Sequence, residues 1–186
     1  MKSMIVMLSG PNGAGKSTFY EAYLSGYDAP FLNADVLASV SGLDAYTAAR
    51  QVAALRDDYL GRKESFITET VFSDPVGDKV NFLKRAVEAS YDVRLIYIGI
   101  ESSNMSVQRV ATRVKAGGHD VPVDKLLARY DRTLANLERA IQILPWVNIY
   151  DNGSMKSPYR LLAKFRDGQL AFRCDGEIPT WARRFL

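Results

Sequence analysis

The sequence predicts an α/β fold in which a parallel five-stranded sheet is flanked by helices and carries a C-terminal antiparallel β-hairpin. Two patterns support this prediction. Through residues 4–155, short apolar runs alternate with longer segments of helical periodicity, which is typical of a parallel sheet wrapped by helices. After Pro158 the period changes to two, and Asp167-Gly168 separates two alternating runs, which indicates a hairpin.

The predicted elements follow one another closely along the chain. The expected strands cover residues 4–9, 31–33, 65–68, 93–100 and 147–150. The expected helices begin near Lys16, Leu43 and Val76 and cross residues 106–144, where an apolar stripe ends before Pro145. Gly117-Gly118 is expected to break the last of these helices.

We divide the chain into a domain at 1–155, with a lid segment at about 105–132, and a hairpin unit at 156–186 packed on that domain. Trp181 is expected to anchor the packing of the C-terminal unit. A chain of 186 residues can bury a core without disulfides or a structural metal. The composition therefore excludes a stapled mini-protein and a disordered chain.

Charge and cysteine content restrict the function further. The net charge of +3 is concentrated in residues 105–132 and 156–186, so it is local. Cys174 and His119 are the only residues of their types, which excludes an internal disulfide and a Cys/His zinc cluster. The apolar run at 4–8 is too short for a secretory signal, and no run is long enough to span a membrane. We expect a cytoplasmic protein.

Residues 10–18 form the decisive motif. Glycines allow consecutive backbone N–H groups to turn inward as an anion nest, and the start of the following helix adds the positive end of its dipole. We therefore expect a phosphate-binding loop, in which Lys16 contacts the outer phosphates of ATP and the Ser17 hydroxyl binds Mg²⁺. The residues are Gly10, Pro11, Asn12, Gly13, Ala14, Gly15, Lys16, Ser17 and Thr18, a full match to G-x-x-x-x-G-K-[ST] between an apolar strand and a helix.

Other residues decide between the classes of nucleotide-binding protein. Asp74-Pro-Val-Gly77 fits the D-x-x-G of GTPases, but no N-K-x-D follows, so guanine specificity is unsupported. The best strand for a transporter-type ATPase ends on Glu101-Ser102 rather than Asp-Glu, so that hydrolytic apparatus is missing. The kinase arrangement remains, in a P-loop NTPase fold.

Polar residues after the second and third strands are candidates for acceptor binding. Asn33 and Asp35 follow the second strand, where open α/β sheets place ligands. Asp35 is a candidate general base, with a helix N-cap as the alternative. Glu69 and Thr70 end the third strand and are candidates to hold acceptor hydroxyls or a metal-bound water, or form a solvated strand end.

Arginines in the mid-chain segment are candidates to bind phosphate. Arg109 and Arg113 lie four residues apart on one helical face, and Arg129 follows the Gly117-Gly118 hinge. Such a segment suits a lid that closes over the triphosphate and stabilises the charge of transfer, although an ordinary solvated helix has the same pattern. His119 fits a hinge residue or a general base.

Taken together, residues 10–18, 33–35, 69–70 and 113–122, with Arg129-Tyr130 and Asn136-Leu137, resemble the zeta-toxin family of P-loop kinases. The resemblance runs in order from residue 4 to about 153. It implies phosphorylation of a nucleotide-activated amino sugar, UDP-N-acetylglucosamine, and makes an antitoxin protein a candidate partner. It further implies that Asp35 is the base, that Glu69 and Thr70 contact the acceptor, and that Arg113 and Arg129 clamp phosphate.

The sequence thus predicts an ATP- and Mg²⁺-dependent phosphotransferase acting on a hydroxyl of a small acceptor, with Asp35, Lys16 and Arg113 as catalytic residues. The alternative is a nucleotide-binding ATPase or switch protein that regulates a partner without an acceptor. A kinase of nucleic-acid ends is disfavoured, because the alternation of the basic hairpin at 156–186 explains its charges as a solvated face.

Overall fold

The structure, a computed structural model, describes residues 2–118 and 120–186. His119 lies outside the described residues. The strands are β1 (Met4–Ser9), β2 (Phe31–Leu32), β3 (Phe66–Thr70), β4 (Asp92–Gly99), β5 (Trp146–Asp151), β6 (Arg160–Arg166) and β7 (Gln169–Arg173). The helices are α1 (Lys16–Tyr23), α2 (Ala34–Ser41), α3 (Ala45–Arg62), α4 (Asp78–Glu88), α5 (Ser103–Lys115) and α6 (Val123–Ile143), followed by a 3₁₀-helix (Thr180–Phe185).

These strands form one sheet in the order β2-β3-β1-β4-β5-β6-β7. The first five are parallel, whereas β6 and β7 are antiparallel to their neighbours. The predicted fold class is confirmed, and the hairpin enlarges the sheet to seven strands because β6 pairs with β5 along its whole length. Residues 1–155 and 156–186 therefore share one sheet, and their division into separate units stays a prediction.

Strand β1 lies between β3 and β4, and its residues from Ile5 to Ser9 are buried. Helices cover both faces of a parallel sheet, so a central strand is apolar on both sides, which explains the continuous apolar run in the sequence. Parallel strands end at the same edge of the sheet. The ends of β1, β2 and β3 therefore bring the phosphate loop, Asn33 and Glu69 to one place.

The predicted helical stretch at 106–144 consists of two helices. Helix α5 ends at Lys115, and Gly117 follows with a φ of 86°, a left-handed conformation that glycine adopts without steric strain. Helix α6 buries the predicted stripe against the core, with Leu137 fully buried at its centre. Although α6 has 21 residues, no helix in the described part of the chain is long and apolar enough to cross a membrane.

Helix α2 was expected only under the alternative in which Asp35 is a helix N-cap, since the next predicted helix begins near Leu43. No residue of α2 is buried, and its apolar residues Val36 and Val40 are exposed, so the helix contributes little to the core. Its start is fixed instead by a cap: Asn33 Oδ1 accepts hydrogen bonds from the backbone N–H groups of Asp35 (2.8 Å) and Val36 (3.2 Å).

Trp181 anchors the C-terminal segment, as predicted. Its indole nitrogen donates a hydrogen bond to Asp151 Oδ1 (2.9 Å), and its ring is buried against Tyr97 and the backbone of Gly99. A Cβ atom at Gly99 would lie 2.2 Å from the ring. The C-terminal segment is thereby fastened to the ends of β4 and β5, next to the phosphate loop.

Candidate functional site

The phosphate loop connects β1 to α1 and depends on glycine for its shape. Gly10 has a φ of 138°, and a Cβ atom there would lie 2.1 Å from the carbonyl oxygen of Ile98. Gly15 has a φ of 86° and precedes the first residue of α1. Any other residue would be strained at both positions, so the loop passes close to β4 in a conformation that glycine alone adopts readily.

Side chains from outside the loop hold its carbonyl groups. Four successive carbonyls are bonded by these side chains, which fixes the loop and leaves its other N–H groups available for an anion. The bonds run from Ser106 Oγ to Asn12 O (2.7 Å), Arg109 Nη1 to Gly13 O (3.2 Å), Asn152 Nδ2 to Ala14 O (2.9 Å) and Tyr159 OH to Gly15 O (2.8 Å).

Lys16 is buried and lies across the loop. Its ammonium donates hydrogen bonds to the carbonyl oxygens of Gly10 (3.1 Å) and Pro11 (3.0 Å) and lies 3.8 Å from Glu69 Oε1. Burial lowers the pKa of Lys16, the carboxylates of Glu69 and Asp35 oppose this, and the guanidinium of Arg113 adds to the lowering. The charges of the predicted site residues are thus close enough to act on one another.

Glu69 connects the ends of three strands. Its Oε2 accepts hydrogen bonds from Ser17 Oγ (2.9 Å) and Asn33 Nδ2 (2.8 Å). Together with the ion pair to Lys16, these contacts join the phosphate loop, the end of β2 and the end of β3. Thr70, the next residue, accepts a hydrogen bond from the backbone N–H of Phe72 (3.2 Å).

The Asp35 carboxylate is not a helix cap, which was the alternative considered for it. Asn33 caps α2, and the backbone of Asp35 is a donor in that cap. In residues 2–118 and 120–186, no hydrogen bond or ion pair within 4 Å engages the Asp35 carboxylate, which is exposed to the cavity described next. The cap therefore fixes Asp35 in position without occupying its carboxylate.

A cavity of about 670 Å³ lies beside these residues. Its walls include Asn12 of the phosphate loop, residues 33–35, the α3 face, residues 69–74 and the start of α4. Arg113 and Arg129 complete it from the α5–α6 side. The volume is within the range of roughly 300–1,000 Å³ that is usual for small-molecule sites.

Of the three arginines predicted to bind phosphate, two line the cavity and one contacts the phosphate loop. Arg113 and Arg129 line the cavity, as a phosphate clamp would. Arg109 contacts the phosphate loop instead. Its guanidinium donates hydrogen bonds to the carbonyl oxygens of Gly13 and of Asn152 (2.7 Å). Its role in contacting phosphate stays a prediction, whereas its contacts show that it positions the loop.

The loop after β3 is fixed by two polar residues of α6, a helix whose apolar stripe is its main signal in the sequence. Thr133 Oγ1 donates to the carbonyl oxygen of Val71 (2.8 Å). Asn136 Nδ2 donates to the carbonyl oxygens of Phe72 and Asp74, both at 2.9 Å. Both donors are buried, so this wall of the cavity has a defined shape.

Two groups of site residues were missed. Ser106 and Tyr159 support the phosphate loop but lie outside any motif. Arg56 and Lys79 line the cavity from α3 and α4. A signal for Arg56 does exist in the sequence: it lies four residues after Val52, on a helical face that is otherwise apolar.

Comparison with known proteins decides the family. Residues 32–161 match the family model of the zeta toxin. The chain belongs to the zeta toxin family. The match begins after the phosphate loop, so the loop motif and the zeta toxin match are separate evidence for a kinase-like, nucleotide-binding protein. An uncharacterized protein of Haemophilus influenzae is 27% identical over 134 residues, which cover 70% of this chain and 94% of that protein.

Solved structures show the same fold. The AvrRxo1-ORF1:AvrRxo1-ORF2 complex, solved with sulphate ions and also with ATP, superposes with a TM-score of 0.65 at 15% identity in the sulphate form. That alignment covers 91% of this chain but only 60% of the AvrRxo1 chain. The PezAT toxin-antitoxin system of Streptococcus pneumoniae gives a TM-score of 0.58 at 13% identity, over 97% of this chain and 75% of that one.

Proposed function

We propose that this zeta toxin family member transfers the γ-phosphate of ATP to a hydroxyl group of a small acceptor, with Mg²⁺ as the metal. The observation that carries the proposal is that one cavity is lined by Asn12 of the phosphate loop, by Asp35 and, on its α5–α6 side, by Arg113 and Arg129. A donor phosphate and an acceptor hydroxyl can therefore meet beside a carboxylate that no residue in the described ranges engages.

The donor ATP would be held by the phosphate loop and the start of α1. Backbone N–H groups and the helix dipole favour the phosphates at this position. Lys16 would exchange its bonds to the loop carbonyls for bonds to phosphate oxygens. Arg113 and Arg129 would stabilise the negative charge of the phosphoryl group during transfer.

The oxygen atoms of Ser17 and Glu69 suit Mg²⁺, which prefers hydroxyl, carboxylate and phosphate oxygens and keeps several waters. In the described ranges, no group of three or more His, Cys, Asp or Glu residues could hold a metal ion, so the metal would depend on the nucleotide for further ligands. When bound, Mg²⁺ would neutralise charge on the outer phosphates. Glu69 would orient the Ser17 hydroxyl and the waters around the ion.

Asp35 would act as the general base. The acceptor hydroxyl gives its proton to the Asp35 carboxylate while its oxygen forms a bond to the γ-phosphorus, and the bond from that phosphorus to the bridging oxygen breaks to release ADP. The N-cap at Asn33 fixes Asp35 relative to the phosphate loop through Glu69. Little reorganisation is then needed at the moment of transfer.

UDP-N-acetylglucosamine is the leading candidate for the acceptor. The support is the zeta toxin family match and a cavity of the size that small-molecule sites have. An antitoxin protein is a candidate partner, because the PezAT neighbour is a toxin-antitoxin system. The compartment we propose is the cytoplasm.

Transfer from γ-labelled ATP to a panel of UDP-sugars, with and without Mg²⁺, tests the proposal. We expect a labelled sugar nucleotide with the wild-type protein and, with Asp35→Asn, a loss of at least about 100-fold in kcat with ATP affinity retained. Asp58→Asn, on the exposed face of α3, is the matched control. If ATP is hydrolysed and no acceptor in the panel is labelled, the UDP-sugar assignment is wrong and a nucleotide-dependent switch is favoured. Full activity of Asp35→Asn would refute the base assignment.

A further inference from the structure

Arg56 occupies a position where the fold calls for an apolar residue. The buried residues of α3 are Ala48, Val52 and Arg56, spaced by four and therefore stacked on one face of the helix. Arg56 is 9% exposed. Its side chain is one of those that line the cavity beside Asp35.

The two neighbouring carboxylates form ion pairs with other cations, although Asp74 Oδ2 has no hydrogen-bond partner within the described ranges. Asp57 forms an ion pair of 2.8 Å with Arg85, and Asp74 Oδ2 lies 3.7 Å from Lys79 Nζ. The guanidinium of Arg56 lies 5.7 Å from the centre of the Phe82 ring. Within the described ranges, no hydrogen bond and no ion pair within 4 Å engages Arg56.

A buried guanidinium without an ion pair is costly to the fold. Burial lowers the pKa of Arg56, which Asp57 and Asp74 partly oppose, but an arginine stays charged at any physiological pH. Placing such a charge out of water destabilises the folded state unless other groups compensate it. An arginine here instead of a leucine or methionine therefore indicates an anion that occupies the cavity.

Two separate groups of charges face the cavity. Glu69, Asp35 and Arg113 act on Lys16 at the phosphate loop. The wall formed by α3 and the start of α4 carries three cations, Arg50, Arg56 and Lys79, and the two carboxylates of Asp74 and Asp78. The first group suits the phosphates of ATP, and the second has one more positive than negative group, which leaves it able to attract a second anion.

We propose that Arg56, with Lys79 beside it, binds a carboxylate or phosphate group of the acceptor, so that the substrates of this kinase are anionic hydroxyl compounds. The planar guanidinium presents paired N–H donors that match either anion in a two-point contact. This inference rests on the proposed function. It excludes neutral sugars and nucleosides as good acceptors.

Binding to Arg56 can be followed without transfer. The Nε–H resonance of Arg56, identified by its absence in Arg56→Gln, is recorded while inorganic phosphate, acetate or neutral N-acetylglucosamine is added to protein saturated with a non-hydrolysable ATP analogue and Mg²⁺. We expect a saturable shift with phosphate or acetate, which identifies the preferred anion, and none with the neutral sugar. No shift with either anion would overturn the proposal.

Kinetics give a second readout. Arg56→Gln is expected to raise KM for UDP-N-acetylglucosamine about 10- to 100-fold, since a charge-assisted contact is lost, with little change in KM for ATP. Arg62→Gln, on the same helix but outside the cavity, should behave as wild type. Absence of transfer in all proteins, with the anion shift present, would refute the kinase function alone. Normal transfer with an unchanged acceptor KM would refute the role of Arg56.

The melting temperature distinguishes a binding role of Arg56 from a purely structural one. Arg56→Met replaces the buried charge by an apolar side chain of similar length, so the melting temperature should be unchanged or higher. A lower melting temperature together with unchanged acceptor affinity would make Arg56 a structural residue and overturn the proposal.

Discussion

The Ser17 hydroxyl donates a hydrogen bond of 2.9 Å to the carboxylate of Glu69, joining the first turn of α1 to the end of β3. Because β3 is next to β1 in the sheet, this contact places a carboxylate beside the phosphate loop. Glu69 also lies 3.8 Å from Lys16 and accepts a bond from Asn33. Glu69 thereby connects the phosphate loop to the ends of β2 and β3.

Glu69→Gln should therefore weaken the binding of the Mg²⁺ that transfer requires. The amide keeps the size of the side chain but removes its negative charge, so we expect the Mg²⁺ concentration needed for half-maximal activity to rise about tenfold and kcat to fall roughly 100-fold. Magnesium titrations of transfer check this. Glu88→Gln, an exposed change on α4, is the control, and an unchanged Mg²⁺ requirement in Glu69→Gln would show that Glu69 has no part in metal binding.

Asn33 has two roles that substitutions can separate. Asn33→Ala removes the cap of α2 and the bond to Glu69, and should cost about 1 kcal/mol of stability together with most of the transfer activity. Asn33→Asp keeps an oxygen for the cap but places a second carboxylate against Glu69, so stability near neutral pH should fall less while transfer is still impaired. Denaturant unfolding and kcat measure the two effects. Equal activity of Asn33→Asp and wild type would show that the amide contact to Glu69 is unimportant.

The packing of Trp181 on Gly99 can be tested by filling the space between them. A Cβ atom at Gly99 would lie 2.2 Å from the indole ring, so Gly99→Ala should destabilise the protein by about 1–3 kcal/mol. Adding Trp181→Phe should recover part of that loss, because the smaller ring makes room. Gly61→Ala is the control: its Cβ meets nothing within 4 Å, and inside α3 it should be stabilising. Additive effects of the two changes would contradict the contact.

The elements that sequence could predict are those with local signals. The loop at 10–18 has a motif, β1 and β4 have apolar runs, and α6 has an apolar stripe, so their positions were predicted within a few residues. Helix α2 has no buried face, and its start depends on the side chain of one residue, Asn33. With eight residues, it is too short for a helical period to be recognised reliably in the sequence.

The parts of the site that sequence could not predict depend on pairing between distant segments. The hairpin was recognised, but its pairing with β5 is a contact between strands that periodicity does not reveal. The contacts of Ser106, Arg109 and Tyr159 with loop carbonyls likewise join residues about 90 to 145 positions apart, such as Tyr159 and Gly15. The charge pattern predicts the same phosphate-binding role for Arg109 and Arg113. In the structure Arg109 contacts a loop carbonyl, whereas Arg113 lines the cavity.

The ammonium of Lys16 gives a prediction for pH. Burial lowers the pKa of Lys16, and the carboxylate of Glu69 raises it in opposition. ATP affinity depends on the charged form, so it should weaken as the pH rises through this pKa, at a lower pH than for an exposed lysine. Removal of the Glu69 charge lowers the pKa further, so in Glu69→Gln the weakening should begin at a still lower pH.

The dissociation constant of ATP, measured from neutral to alkaline pH in the wild type and in Glu69→Gln, checks this prediction. Mg²⁺ is left out and a chelator added, so that the effect of Glu69 on the metal does not enter. Glu88→Gln should follow the wild-type curve, because within residues 2–118 and 120–186 the Glu88 side chain pairs only with Lys84, on the exposed face of α4. Superimposable curves for Glu69→Gln and the wild type would mean that the Glu69 charge does not influence the pKa of Lys16. The hydrogen bond to Ser17 would then be the contact through which Glu69 acts on the phosphate loop.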